Sequence, residues 1–184
     1  MINLEIDLST SNCLVFVQDD LQTPINDEIS DYFLQQFLKD LNINDQIEYS
    51  TNGKPYFTDS NLFLNISHSA NIWVAVICKY PVGIDVEIIQ NTKLISSLDP
   101  ILGVQNLNDW CAQEAIIKCL DLTLDEMVHI KALHTHHEYQ YLSTDIYTYP
   151  IHKPNCFVGY VACQIPRLQI AIYNNYIGNH SLTD

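Results

Sequence analysis

The sequence is short of positive charge. Its 184 residues carry 8 Lys plus Arg against 22 Asp plus Glu, a formal net charge of −14. No basic residue precedes Lys39, and only Lys39 and Lys54 come before Lys79. Such a chain offers no basic face to a phosphate backbone, so nucleic acid is excluded as a partner. Long apolar runs are missing too. Stretches such as IWVAVIC (Ile72 to Cys78) are far too short to cross a bilayer, so no membrane span is predicted. The start, MINLEIDLST, has no basic segment leading into an apolar one, and no secretory signal is read there. The six cysteines form no C-x-x-C pair. They read as reduced, mostly buried thiols of a cytoplasmic protein rather than a zinc ribbon. Low-complexity segments and an obvious linker are also lacking.

What is present is a hydrophobic fraction of 47%, ample for a core. Ile2 to Ile6 and Cys13 to Gln18 read as strands, and Asp27 to Leu41 reads as an amphipathic helix. Asn52-Gly53 marks a turn. Asn61 to Ile66 and Ile72 to Tyr80 are strand-like. Asn108 to Leu120 is predicted helical, capped by Asn108 or Asp109. His129 to Leu133, Glu138 to Leu142 and Cys156 to Ile165 follow as strands. A helix flanked by strands thus occurs twice. A faint echo links VAVICKYP (Val74 to Pro81) with GYVACQIP (Gly159 to Pro166). The pattern predicts an α+β fold of two similar lobes, residues 1–81 and 82–184, each an antiparallel sheet packed on a helix.

The segment PVGIDVEIIQ carries the first chemical signal. Side chains alternate along a strand, so Val82, Ile84, Val86 and Ile88 share an apolar face, while Gly83, Asp85 and Glu87 share the other. Two readings of that second face stand. It is either a solvated side of a half-exposed strand, or part of a hard-cation site. Adjacent carboxylates repel unless a cation lies between them, and Mg²⁺ binds through one or two carboxylates plus substrate phosphates. The helix adds Trp110, Glu114 and Lys118 at i, i+4 and i+8. They form either a surface salt bridge beside a half-buried ring or the wall of a cleft. Ser67-His68-Ser69 reads as a small polar loop after an apolar strand, and Gly53-Lys54-Pro55 as a rigid turn presenting a lysine. The histidines of HTHHE (His134, His136, His137) lack the spacing of a helical zinc pair and read as a solvated turn. The C-terminal NNYIGNHSLTD reads as a frayed tail.

Taken in order, G-K-P, I-S-H-S, V-G-I-D-V-E and W-x-x-x-E-A-x-x-K resemble the 4′-phosphopantetheinyl transferase superfamily. The likeness is to the single-chain, two-lobed kind that activates peptide and polyketide synthetases. It covers roughly Gly53 to Lys118. The resemblance implies transfer of phosphopantetheine from coenzyme A to a serine of an apo acyl or peptidyl carrier protein, with release of adenosine 3′,5′-bisphosphate, by a monomer. It implies that Asp85, Glu87 and Glu114 hold Mg²⁺ and that Glu114 is the base. Lys118 would contact the transferring phosphoryl group, Ser67 and His68 the phosphates of coenzyme A, and Lys54 its 3′-phosphate side. His68 joins Glu114 and Lys118 in the implied catalytic set. The chain departs from the family at Gln113, where a lysine is usual, and in the scarcity of N-terminal basic residues. Two other readings remain: a non-catalytic binding member of the same fold, and an unrelated Mg²⁺-dependent phosphohydrolase.

Overall fold

The structure is a computed structural model and describes residues 12–19, 21–90, 104–133 and 137–174. The predicted strand Ile2 to Ile6, His134, His136 and the C-terminal tail beyond Asn174 lie outside the described residues; Asn174 itself closes the last strand. The fold is α+β. Its elements run β1 (Cys13–Gln18), α1 (Asp27–Asp40), β2 (Ile47–Tyr49), β3 (Pro55–Phe57), β4 (Phe63–Ser69) and β5 (Ile72–Cys78). They continue with β6 (Val82–Ile88), α2 (Leu107–Leu120), a 3-10 turn at Leu124–His129, β7 (Ile130–Ala132), β8 (Glu138–Tyr141), β9 (Thr144–Pro150), β10 (Phe157–Cys163) and β11 (Ile170–Asn174).

The order from β1 to β5 is repeated from β6 to β10: a strand, a helix, two short strands and two longer ones. The pairing repeats as well. The first sheet is ordered β11-β1-β5-β4 and the second β6-β10-β9-β8-β7, so β1-β5-β4 corresponds to β6-β10-β9. The echoed segments around Cys78 and Cys163 fall at the ends of β5 and β10, equivalent places in this pattern. The last strand breaks the symmetry. β11 returns to the first sheet and runs parallel to β1, Cys13 opposite Ile170.

Alternation along the strands builds the layers. Val15, Val17, Val74 and Val76 of the first sheet meet Val82, Ile84, Val86, Phe157 and Val161 of the second in one shared core. The opposite face of the first sheet, with Leu14, Phe16, Trp73 and Ile77, is covered by Phe33, Leu34, Phe37 and Leu38 of α1. Asn26 caps α1, its side chain accepting from the Ile29 amide, and the indole N–H of Trp73 donates to Ser30 Oγ at 3.1 Å. Cys111, Ala112, Ala115 and Ile116 of α2 cover Ile146, Tyr160 and Ala162 on the outer face of the second sheet. The helix cap is Asn106, which accepts from the Asp109 amide, rather than Asn108 or Asp109. Asn106 has extended backbone angles, as a cap requires.

The solvated-strand reading of β6 is excluded. Its second face lies under α2, and Asp85 is only 4% exposed. Gly83 permits this closeness: a Cβ there would sit 2.1 Å from the carbonyl oxygen of Ala115 and 2.3 Å from the Cys119 amide nitrogen. Ser67, His68 and Ser69 belong to strand β4, not to a loop. β4 and β6 are edge strands of different sheets, and side chains join them. Asn65 Oδ1 accepts from the Ile84 amide at 2.9 Å, and Ser69 Oγ accepts from the Ile88 amide at 3.3 Å. Two unpaired edge amides are thereby satisfied.

Candidate functional site

The predicted residues gather where β4, β6 and α2 meet. Lys118, in the last turn of α2, places its ammonium 2.6 Å from Asp85 Oδ1 and donates to Ser67 Oγ at 3.0 Å. Ser67 donates to the same Asp85 oxygen at 2.8 Å. Lysine, serine and aspartate close a triangle whose members are 33, 51 and 18 residues apart in sequence. Glu87, one step along β6, accepts from Ser69 Oγ at 2.8 Å and from the Trp110 indole at 3.3 Å. Glu114 lies one helical turn before Lys118. The Trp110–Glu114–Lys118 stripe is not a surface salt bridge, because Lys118 turns inward to Asp85 and Trp110 to Glu87.

Burial and charge crowding together set the protonation of the group. Burial, then the charges of Asp85 and Glu87, push the Glu114 carboxyl up to about 7, with Lys118 pulling the other way. Burial opposes the Lys118 charge, but Asp85 and Glu114 outweigh it and hold the ammonium above its ordinary value. The Cys111 thiol is raised well above its usual range by burial and then by the neighbouring Asp85. The sequence marked Trp110 on the helix stripe and Ser69 in the I-S-H-S motif but gave neither a role; both donate to Glu87.

A cavity of about 440 Å³ opens beside the triangle, lined by Ser67, His68, Lys118, Ser30, Tyr49, Gly53 and Ile66 together with Asp27 and Asp31. His68 Nε2 stands 3.7 Å from Asp27 Oδ1. Tyr49 donates to Asp31 at 3.1 Å. A smaller space of about 130 Å³ adjoins it, bounded by Lys54, Asn65, Lys118 and Asp121 among others. Lys54 donates to the Cys119 carbonyl at 3.0 Å, Asn52 Nδ2 to the Asp121 carbonyl at 2.7 Å, and Ser50 to the Asp121 carboxylate at 2.8 Å. The β2–β3 turn thus grips the C-terminal end of α2 and holds the turn that carries Lys118. Burial lowers the Lys54 ammonium, which Cys119 and Asp121 partly counter.

Among the described residues, no group of three or more His, Cys, Asp or Glu side chains is arranged to hold a metal ion. The near partner of Asp85 is the ammonium of Lys118 rather than a second carboxylate. The donor chemistry nevertheless suits a hard cation. Asp85 Oδ2 is buried and has no hydrogen-bond partner among the described residues, and burial first, then the nearby carboxylates of Asp85 and Glu87, make Glu114 resist ionisation. These residues fit a divalent cation in kind and charge. His137 lies exposed in a turn before β8.

A Haemophilus influenzae protein named "Putative 4'-phosphopantetheinyl transferase" is 38% identical to this chain over 93 residues, 40% of this chain and 39% of that protein. The chain thus matches less than half the length of its curated relative. No family model matches the chain. No helix among the described residues is long and apolar enough to cross a membrane.

Proposed function

We propose that this protein transfers 4′-phosphopantetheine from coenzyme A to a serine hydroxyl of an apo acyl or peptidyl carrier protein. The observation that carries the reading is the Ser67–Asp85–Lys118 triangle, partly buried with Ser67 and Lys118 on the cavity wall, and Glu114 at about 7 one turn away. The similarity to the Haemophilus protein agrees with it.

Each side chain then has a role. The carrier serine oxygen bonds to the phosphorus that bears the pantetheine arm. The bond from that phosphorus to its bridging oxygen breaks, and adenosine 3′,5′-bisphosphate leaves. Glu114 takes the serine proton. Lys118 faces the phosphoryl oxygens with a charge that stays in place at neutral pH, and so stabilises the negative charge of the transition state. Ser67 and His68 contact the pyrophosphate from β4. Lys54 spends one N–H on Cys119 and has two more for the 3′-phosphate side. Asp85, Glu87 and Glu114 would hold Mg²⁺, whose chemistry is charge neutralisation on the pyrophosphate.

A second reading draws on Asp27 and Asp31, which place two carboxyl groups in the cavity a polyanion would enter: a non-catalytic binding protein of the same fold. One experiment separates the two. A panel of apo carrier proteins is incubated with the protein, coenzyme A and Mg²⁺, and read by mass spectrometry. One phosphopantetheine mass added to one carrier serine supports transfer. Loss of that gain in Asp85→Ala and Glu114→Ala supports the assigned roles. No gain on any carrier, with no heat on titration of coenzyme A, supports the binding protein. Phosphate release without a carrier would indicate a hydrolase.

A further inference from the structure

We propose that Cys13 and Cys78 are an oxidative modification site, two thiols placed to close into a reversible disulfide between β1 and β5. The geometry follows from the ladder. Cys13 stands directly opposite Cys78 in the antiparallel register. The neighbouring pair, Asn12 and Lys79, is hydrogen-bonded, the Lys79 amide donating to the Asn12 carbonyl at 3.0 Å. Pairs alternate in an antiparallel ladder, so Cys13 and Cys78 form a non-hydrogen-bonded pair. The Cys13 amide agrees, pointing the other way to the Gln169 carbonyl at 3.2 Å. Cα atoms of such a pair stand about 4.5 Å apart, inside the range of roughly 4.4–6.8 Å that a disulfide spans. Both side chains point into the shared core and touch each other.

The two sulfurs are not equivalent. Hydrogen bonding from Cys13 and, against burial, from the Tyr80 and Lys79 amides lowers Cys78; the Tyr80 amide lies 3.4 Å from its sulfur. Hydrogen bonding to Cys78, burial and the nearby Cys163 raise Cys13. Both thiols are fully buried, so oxidation proceeds through local opening of the strand ends; of the two, Cys78 is then the attacking sulfur and Cys13 the resolving one.

With a peroxide as oxidant the chemistry balances. The Cys78 sulfur attacks one oxygen of hydrogen peroxide, the O–O bond breaks, one water leaves, and Cys78 becomes a sulfenic acid. The Cys13 sulfur then attacks the Cys78 sulfur, the S–O bond breaks, and the oxygen leaves as a second water with the Cys13 proton. Two electrons and two hydrogens pass from the thiols to the peroxide. The other cysteines lack this arrangement. Cys163 lies opposite Val82, and its sulfur pairs with the Ile165 carbonyl. Cys119 pairs with the Pro81 carbonyl.

The test is direct. The intact protein is treated with hydrogen peroxide, denatured with an alkylating agent and mapped by peptide mass. The expected result is a Cys13–Cys78 cross-linked peptide lighter by two hydrogens, with four alkylatable thiols left of six, restored to six by dithiothreitol. In Cys13→Ser, or Cys13→Val if the serine variant does not fold, the cross-link is lost and dimedone traps a sulfenic acid on Cys78. Six unreacted thiols, a different cross-linked pair, or sulfinic acid without a disulfide would each overturn the proposal.

Discussion

Glu114→Gln is the perturbation whose consequence can be worked furthest. The folded protein raises this carboxyl from 4.5 to about 7. The folded state therefore binds the proton more tightly than the unfolded chain does. Stability contributed by that proton is fully present below about 4.5 and is lost as pH rises through about 7. The shift is roughly 2.5 units at about 1.4 kcal/mol each, so ionising Glu114 costs the wild type on the order of 3 kcal/mol. Glutamine is neutral at every pH and nearly the same shape, so it escapes the cost. Denaturant midpoints across pH, measured for both proteins, give a difference curve free of the other titrations. The variant should match the wild type near pH 5 and exceed it by about 3 kcal/mol near pH 8. Mg²⁺ should narrow the gap at the high end by restoring the wild type, since a cation among the carboxylates favours their ionised forms. A difference curve flat from about pH 5 to about pH 8 would refute the raised Glu114 carboxyl, held up first by burial and then by its charged neighbours, from which the site is argued.

Two further variants probe the neighbours. Lys118→Met leaves Asp85 buried without its cationic partner, and should cost about 3–5 kcal/mol, most of it recovered in the Lys118→Met/Asp85→Asn double variant; strictly additive losses in urea unfolding would contradict the pairing. Lys54→Met removes the grip on the Cys119 carbonyl and should lower stability by about 1 kcal/mol while weakening coenzyme A in calorimetric titration. Unchanged affinity at that stability loss would leave Lys54 a clamp for α2 and nothing more.

Local signals marked the elements whose patterns are local. β1 is an uninterrupted apolar run and α1 has a helical apolar period, and both stand where the sequence placed them. The alternation of β6 predicted its inner face. Its outer face was obscure because the cover comes from α2, and Gly83 was the only local sign that a backbone would press against it. Ser67-His68-Ser69 looked like a loop because small polar residues usually are one; they are polar here because they bridge to another sheet edge. Four strands left no recognised mark, the short β2 and β3 on either side of the Asn52-Gly53 turn among them. β9, TDIYTYP, hides its inward Ile146 and Thr148 among tyrosines, and β11 depends on a parallel partner far away in sequence. The identities in the site could be read, but not the pairing. Glu114 and Lys118 stand four apart and invite each other, whereas the partner Lys118 takes is Asp85 on another element.

The cluster can be understood as one electrostatic hole with alternative occupants. Fully ionised, Asp85, Glu87 and Glu114 carry three negative charges against the single positive charge of Lys118, partly buried and with few hydrogen bonds to spare. That excess must be met, since uncompensated buried charge costs several kcal/mol. Serine and tryptophan donors soften Glu87, and Lys118 with Ser67 satisfies one oxygen of Asp85, but Asp85 Oδ2 stays bare. Without a ligand the least costly answer is a proton, and Glu114, raised to about 7 by burial and then by the neighbouring carboxylates, takes it. A divalent cation would answer the same demand twice over and expel the proton. Proton and cation then compete for one site. The base and the cation-binding residues are thus coupled by charge, and neither role can be altered without shifting the other.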